Sequence, residues 1–172
     1  MKTFISLLAM VLLAGNLNAQ SARLTADAVA AQTAFTNTDG LMANLFNTSY
    51  GYVIFPSVGK GGIGIGGAAG NGVVYENGQI IGSAKLKQLT VGLQLGAQKY
   101  REVIYFENAA ALDRFKENGF EFSAQASAVA VTKGAAMNAK YREGVMVFTQ
   151  EKAGLMYEAS VGGQKFKFEP KQ

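Results

Sequence analysis

The segment from Gly59 to Gly72 constrains the fold of this 172-residue chain more than any other, because every second or third residue in it is glycine. Glycine is a poor helix former, so the segment predicts extended chain. Read as one strand, it places the even-numbered glycines from 62 to 66 on one face and Ile63 and Ile65 on the other. A face without side chains lets another layer approach closely or lets the sheet curl sharply.

Two Asn-Gly pairs, Asn71-Gly72 and Asn77-Gly78, match the pattern of type I′ hairpin turns. They predict antiparallel strands before, between and after them. The run 50–55, rich in aromatic and β-branched residues, predicts the strand that leads into the glycine segment. We expect that strand to end at Pro56, because proline cannot donate a hydrogen bond to a neighbouring strand.

The clearest period-two pattern runs from Leu89 to Ala97, with apolar residues at the odd positions. As one continuous strand it would span about 30 Å, from the usual rise per residue. It is either a core strand with solvated basic ends or an apolar surface flanked by cations that face lipid. Further strands are expected at 102–106, 145–149, 154–161 and 165–168.

Helices are predicted at three places. Residues 21–35 carry an apolar face at helical spacing, formed by Leu24, Ala28, Ala31 and Phe35. Residues 41–46 suit a short second helix, and Asn108 is a typical N-cap for a third helix that should end at Asn118-Gly119. The fold class is therefore α+β: a curved or barrel-like antiparallel sheet of Gly-rich strands, with an N-terminal helix and one mid-chain helix.

The first 19 residues have the features of a cleavable secretory signal. Lys2 supplies the positive start, and residues 4–14 form an apolar run that is shorter than the roughly 20 residues of a bilayer span. Ala19 is the small residue expected before the cut, so we predict cleavage between Ala19 and Gln20. The mature chain, residues 20–172, is expected to be one domain in the periplasm or outside the cell.

Composition excludes most familiar chemistry. The chain has no Cys, His or Trp, so it cannot form a Ser-His-Asp triad, a thiolate nucleophile or an ordinary zinc or haem site. Its three aspartates are far apart and form no DxD cluster for Mg²⁺ or Ca²⁺. We therefore expect no catalytic residue, no metal and no cofactor.

Nucleotide and nucleic-acid binding are disfavoured as well. Residues 62–67 satisfy GxGxxG, but Gly70-Asn71-Gly72 interrupts the helix that should follow, and Lys87 stands where a dinucleotide site needs an acidic residue. The formal net charge of +4 is too small to argue for nucleic-acid binding.

Five blocks in the right order resemble the SYLF domain family. They are Tyr50 to Pro56, Lys60 to Gly67, Gly70 to Val74, Gly92 to Gln98 and Lys152 to Gly163. The resemblance implies a non-catalytic lipid-binding module. Eukaryotic members of the family bind phosphoinositide membranes and have been linked to actin, and bacterial members are exported.

The candidate lipid-binding residues are the basic side chains near the glycine segment and around the strand at 89–97: Lys60, Lys85, Lys87, Lys99 and Arg101. We expect them to bind membrane lipid, with anionic phospholipid as the natural ligand of several cations. Two alternatives stay open: a small outer-membrane or envelope structural β-protein, because 89–97 has the length and alternation of a spanning strand, and an envelope lipid or glycan enzyme that would use Glu158. The headgroup and the oligomeric state are not determined by the sequence.

Overall fold

The structure, a computed structural model, describes residues 2–63, 65–91, 97–117, 120–123, 126–153 and 161–171. The helices are α1 (Lys2–Thr38), α2 (Met42–Thr48) and α3 (Ala109–Lys116), with a 3-10 turn at Ala135–Asn138. The strands are β1 (Gly51–Ile63), β2 (Ile65–Glu76), β3 (Gln79–Val91), β4 (Ala97–Phe106), β5 (Val129–Ala130), β6 (Val145–Ala153) and β7 (Gln164–Pro170).

The strands form one sheet in the order β5-β6-β4-β1-β2-β3-β7. Every neighbouring pair is antiparallel except β5 and β6, which are parallel, so the sheet is mixed. The predicted α+β class is confirmed. The sheet is open between β5 and β7 as far as the described strands are concerned.

The glycine segment forms a hairpin, as the sequence favoured, but the chain reverses earlier than the predicted turn at Asn71-Gly72. Its first part ends β1 and its second part begins β2, with Gly62 paired to Gly66 and Ile63 to Ile65. The prediction of one strand with two distinct faces is therefore wrong: the chain reverses inside the segment. A hairpin and a straight strand present the same run of glycines, so local composition does not separate them.

Of the two predicted Asn-Gly turns, one is confirmed and one is wrong. Asn77 and Gly78 have φ angles of 49° and 77°, as a type I′ turn requires. Asn71 and Gly72 instead lie in the middle of β2. A Cβ on Gly72 would stand 2.8 Å from both the Ile54 carbonyl oxygen and Phe55 Cδ1, so this glycine serves close packing and not a turn.

Pro56 does not end the first strand, contrary to expectation. The register of β1 slips by one residue between Ile54 and Val58 against β2, and the same irregularity appears against β4. Proline is tolerated at a bulge, because the ladder hydrogen bond it cannot donate is already lost there.

Each face of the sheet carries its own hydrophobic core. We call the first the helix face, because α1 and α2 cover it with Ala28, Ala31, Phe35, Met42 and Phe46, all buried. The predicted apolar stripe of the first helix and the predicted second helix are both confirmed. Among the described residues, no helix offers a stretch that is long and apolar enough to cross a bilayer.

We call the second face the inner face; α3 packs against it together with Phe120, Phe122, Ala126 and Ala128. The predicted N-cap is confirmed, since the Asn108 side chain accepts a hydrogen bond from the Ala111 amide at 3.0 Å. The helix ends at Lys116, and the predicted Asn118-Gly119 terminus lies outside the described residues.

The sheet is strongly curled around the inner face. Gln164 on the edge strand β7 donates a hydrogen bond to Glu102 on β4, although β1, β2 and β3 separate these two strands in the sheet. Residues 120–122 hydrogen-bond to β7, and residues 129–130 pair with β6, so both edges of the sheet are joined to this part of the chain. This curvature agrees with the predicted curved sheet.

The long period-two strand is only partly within the described residues. β3 ends at Val91 and β4 begins at Ala97, and residues 92–96 are outside the description. Leu89 is 84% exposed, so its interpretation as a core residue is wrong. The strands predicted at 145–149 and 165–168 are confirmed within β6 and β7, whereas all but the last residue of the strand predicted at 154–161 lies outside the description.

Candidate functional site

One transverse row of the sheet brings together cations that are far apart in the sequence. Lys99 on β4 pairs with Gly59 on β1, which pairs with Ala69 on β2. Ala69 pairs with Lys87 on β3, which pairs with Lys165 on β7. Directly paired residues of neighbouring strands point to the same face, so all five share the helix face, beyond the area that α1 covers.

The centre of this row is nearly free of side chains. Gly59 and Ala69 are exposed, and a Cβ on Gly59 would meet nothing within 4 Å. Neighbouring strands lie 4.7–4.9 Å apart, so the backbones of Lys99 and Lys87 are about 14 Å apart across three strand spacings. Lys99 therefore flanks a strip of exposed backbone on one side, and Lys87 and Lys165 flank it on the other.

A second row, two residues further along each strand, also carries two lysines, with Asn71 in place of the small Ala69. Asn71 on β2 pairs with Lys85 on β3, which pairs with Lys167 on β7. Arg101, two residues from Lys99 along β4, lies on the same face. We call the exposed surface made by these rows the basic face, and its cations are Lys85, Lys87, Lys99, Arg101, Lys165 and Lys167.

Like charges stand directly opposite each other on the basic face. Lys85 faces Lys167, and Lys87 faces Lys165, an arrangement that weakens strand pairing. Glu169 offsets part of the repulsion through ion pairs with Lys85 at 2.8 Å and Lys167 at 3.4 Å, and these ammonium groups lower its pKa. Lys165 forms a further ion pair with Glu121 at 3.2 Å, so carboxylates neutralise part of the positive charge on β7.

Arg101 connects the basic face to the first helix. Its guanidinium donates to Gln150 Oε1 at 3.1 Å, and Gln150 Nε2 in turn donates to Ala34 O and to Thr38 Oγ1 in the last turns of α1. This chain of hydrogen bonds holds Arg101 at the border between the covered and the exposed parts of the helix face.

One large apolar side chain stands among these polar groups. Leu89 follows Lys85 and Lys87 at every second position of β3 and is paired with Gly67, so it lies on the basic face. Its exposure of 84% places an isobutyl group beside the lysine row. The basic face is thus amphipathic along β3.

The structure brings together four of the five predicted site residues, namely Lys85, Lys87, Lys99 and Arg101. Lys60 is not among them, because it pairs with Ala68, which is buried on the inner face. Whether any of the five binds lipid stays a prediction.

Sequence reasoning missed Lys165 and Lys167. Their alternation with Phe166 and Phe168 signals exposed positions on a strand, but the pairing of β7 with β3 joins segments about 80 residues apart and has no local signal.

A concave surface lies between the end of α3, residues 120–123, residues 126–129 and residues 138–147, with a volume of about 850 Å³. Its charged residues are balanced in sign, with Arg114, Lys140 and Arg142 against Glu117, Glu121 and Glu143. It therefore has no preference for an anionic ligand. Within the described residues there is no group of three or more Asp or Glu side chains that could hold a metal ion, and Glu158, the residue of the enzyme hypothesis, lies outside them.

Comparison with known proteins agrees with the resemblance noted in the sequence. Residues 87–171 match the profile of the Ysc84 family, described as "Las17-binding protein actin regulator", which is the SYLF domain. This chain belongs to the SYLF domain family. A curated protein of Aeromonas veronii, "Beta cell expansion factor A", is 31% identical over 124 residues, which cover 71% of this chain and 47% of that protein. The chain thus spans about half the length of this relative.

The matched segment does not correspond to a separate structural unit. It begins at Lys87, inside β3, while β1 and β2 lie in the middle of the same sheet. The matched segment supplies Lys87, the β4 cations Lys99 and Arg101, and the β7 cations Lys165 and Lys167. Residues before it supply Lys85 and the bare strip at Gly59 and Ala69.

Proposed function

We propose that this chain is an exported, non-catalytic lipid-binding protein whose basic face docks on anionic phospholipid. The observation that carries the proposal is the row Lys99, Gly59, Ala69, Lys87 and Lys165, in which lysines flank an exposed strip without large side chains. Phosphate groups at a bilayer surface form a flat anionic layer that such a strip can approach closely. A cation near such a surface contributes about 1 kcal/mol, so the six cations must act together.

Leu89 complements this electrostatic attraction. A side chain that is 84% exposed on the same face can enter the boundary between headgroups and acyl chains when the lysines contact phosphate. The cost of keeping like charges opposite each other in β3 and β7 is consistent with a surface whose partner is anionic.

Export remains part of the proposal. The buried contacts described for α1, those of Ala28, Ala31 and Phe35, lie after the predicted cut, so cleavage at Ala19 leaves them intact. The mature protein is expected to start at Gln20, and mass spectrometry of protein from the cell envelope would detect this. An intact Met1 in the envelope fraction would contradict cleavage but would leave the lipid proposal standing.

Vesicle co-sedimentation tests lipid binding. We expect binding to rise with the fraction of phosphatidylglycerol in phosphatidylcholine vesicles and to fall with salt, because exposed charges are screened beyond about 8–10 Å at physiological ionic strength. The double variant Lys87→Glu/Lys99→Glu should bind at least about tenfold more weakly, since it reverses both sides of the bare strip.

The matched control is Lys133→Glu/Lys140→Glu, which makes the same change in net charge at exposed lysines outside the basic face. If the two double variants lose binding equally, net charge and not the basic face is responsible. Binding that ignores both anionic lipid and salt would contradict the proposed function.

A further inference from the structure

The inner face contains a carboxyl group that the proposed lipid-binding surface does not use. Glu102 on β4 and Gln164 on β7 are both fully buried, and Gln164 Nε2 donates to Glu102 Oε2 at 2.9 Å. The same nitrogen lies 3.4 Å from the Tyr100 hydroxyl. These contacts join the edge strand β7 to the far side of the curled sheet.

The two groups that share this hydrogen bond each have one oxygen left over. Glu102 Oε1 and Gln164 Oε1 are buried and have no hydrogen-bond partner in the described part of the chain. A carboxylate and an amide carbonyl are both acceptors, so they cannot satisfy each other while Glu102 is ionised. When Glu102 is protonated, its carboxyl gains an O–H donor. The Gln164 amide, which already donates to Glu102, offers its own oxygen as the acceptor for that O–H.

We propose that Glu102 is a neutral carboxylic acid in the folded protein and forms, with the Gln164 carboxamide, a proton-dependent latch that holds β7 against β4. In this pair Gln164 N–H donates to one Glu102 oxygen and the Glu102 O–H donates to the Gln164 oxygen. Both orphaned oxygens are then satisfied without another residue, which buried polar groups require.

The surroundings of Glu102 supply no positive charge within the described residues. The neighbouring strands place Phe55 of β1 and Thr149 of β6 beside it in register. Thr149 adds a buried hydroxyl, which is uncharged, and the titratable group facing Glu102 is Tyr100, whose own pKa is raised by burial and by the nearby carboxyl. Burial raises the pKa of Glu102 from 4.5 to about 8, although the Gln164 hydrogen bond lowers it somewhat.

The direction of the pH effect follows from this raised pKa. Between about pH 5 and 8 the folded protein keeps the proton on Glu102 and the unfolded chain does not, so folding takes up one proton and stability falls as pH rises. Above the folded pKa the carboxylate stands buried beside the amide oxygen. Gln164 immediately precedes Lys165, so release of the latch frees the end of β7 that carries two cations of the basic face.

A direct test is a ¹³C NMR titration of the Glu102 carboxyl in the full chain, with the carboxyl resonance assigned through bonds from the backbone resonances of Glu102. The expected midpoint is near pH 8. A midpoint near the ordinary value of 4.5 overturns the proposal. This titration needs only the unmodified protein, so the proposal stays testable if the variant does not fold.

Denaturant unfolding over a pH series supplies the second measurement. The unfolding constant of the unmodified chain, divided by that of Glu102→Gln, should rise about tenfold for each pH unit between roughly pH 5 and 8. Glu151→Gln, which changes an exposed glutamate, should show the pH dependence of the unmodified chain. A ratio that does not change with pH overturns the proposal.

The latch itself is tested by amide hydrogen exchange corrected for the intrinsic effect of pH. Protection of the β7 amides should fall between pH 6 and pH 9 in the unmodified chain and stay constant in Glu102→Gln. Equal protection at both pH values in the unmodified chain would refute the latch even if Glu102 titrates near pH 8.

Discussion

Phe35→Ala tests whether the first helix is an integral part of the domain. Phe35 is the one large side chain of α1 that is fully buried within the described residues; the helix otherwise contacts the sheet mainly through Ala28 and Ala31. Replacement of a buried Phe by Ala typically costs 3–5 kcal/mol. Because the two alanines fill little volume, we expect a loss of about 4 kcal/mol, a large share of the 5–15 kcal/mol that holds a typical domain folded.

The assay is urea unfolding followed by far-UV circular dichroism and by tyrosine fluorescence, which is available because the chain has no tryptophan. Tyr52 and Tyr105 lie under the helices on the helix face and report on its cover. Val29→Ala is the matched control, since Val29 lies on the same helix but is 53% exposed, and it should change stability by less than about 0.5 kcal/mol. A loss below about 1 kcal/mol for Phe35→Ala would refute the docking of α1.

Two further predictions concern local structure. Asn108→Ala should lower stability by about 1 kcal/mol, because it removes the side-chain acceptor of the Ala111 amide, and Asn108→Asp should retain most of that stability; an unchanged midpoint for the alanine variant would contradict the cap. Gly72→Ala should cost about 1–3 kcal/mol, because its Cβ would overlap the Phe55 ring, whereas Gly59→Ala, which places a methyl group in open space, should change stability by less than about 0.5 kcal/mol. Equal effects of the two glycine changes would contradict the packing described for β2.

The basic face and the Glu102 latch meet at β7. Lys165 and Lys167 point to the helix face, while Gln164 and Phe166 are buried on the inner side, as the alternation of a strand requires. A change of pH that releases the inner side would therefore also move cations on the outer side. Measuring lipid binding by Glu102→Gln would distinguish the effect of the latch from that of the cations, because this variant removes the titrating carboxyl but keeps every cation of the basic face.

Local patterns predicted the elements whose signals depend on neighbouring residues. The apolar stripe from Leu24 to Phe35, the Asn108 cap and the Asn77-Gly78 turn were all recognised correctly, because helix periodicity, capping and positive φ angles act within a few residues. The same reasoning failed at Asn71-Gly72 and Pro56. In both places the determining partner, Phe55 or a slipped neighbouring strand, comes from another part of the chain.

The glycine segment shows most clearly what local sequence determines and what only long-range packing determines. The sequence alone determined that residues 59–72 are extended and leave little side-chain cover, because glycine has no Cβ and favours no helix. The sequence also favoured a hairpin, but with its turn at Asn71-Gly72. Only the tertiary structure decided that the two strands pair from Ile63 and Ile65 onward, and that the bare strip lies between Lys99 on one side and Lys87 and Lys165 on the other. Strand pairing selects partners by packing and register over the whole sheet, and that information is not contained in any short stretch of sequence.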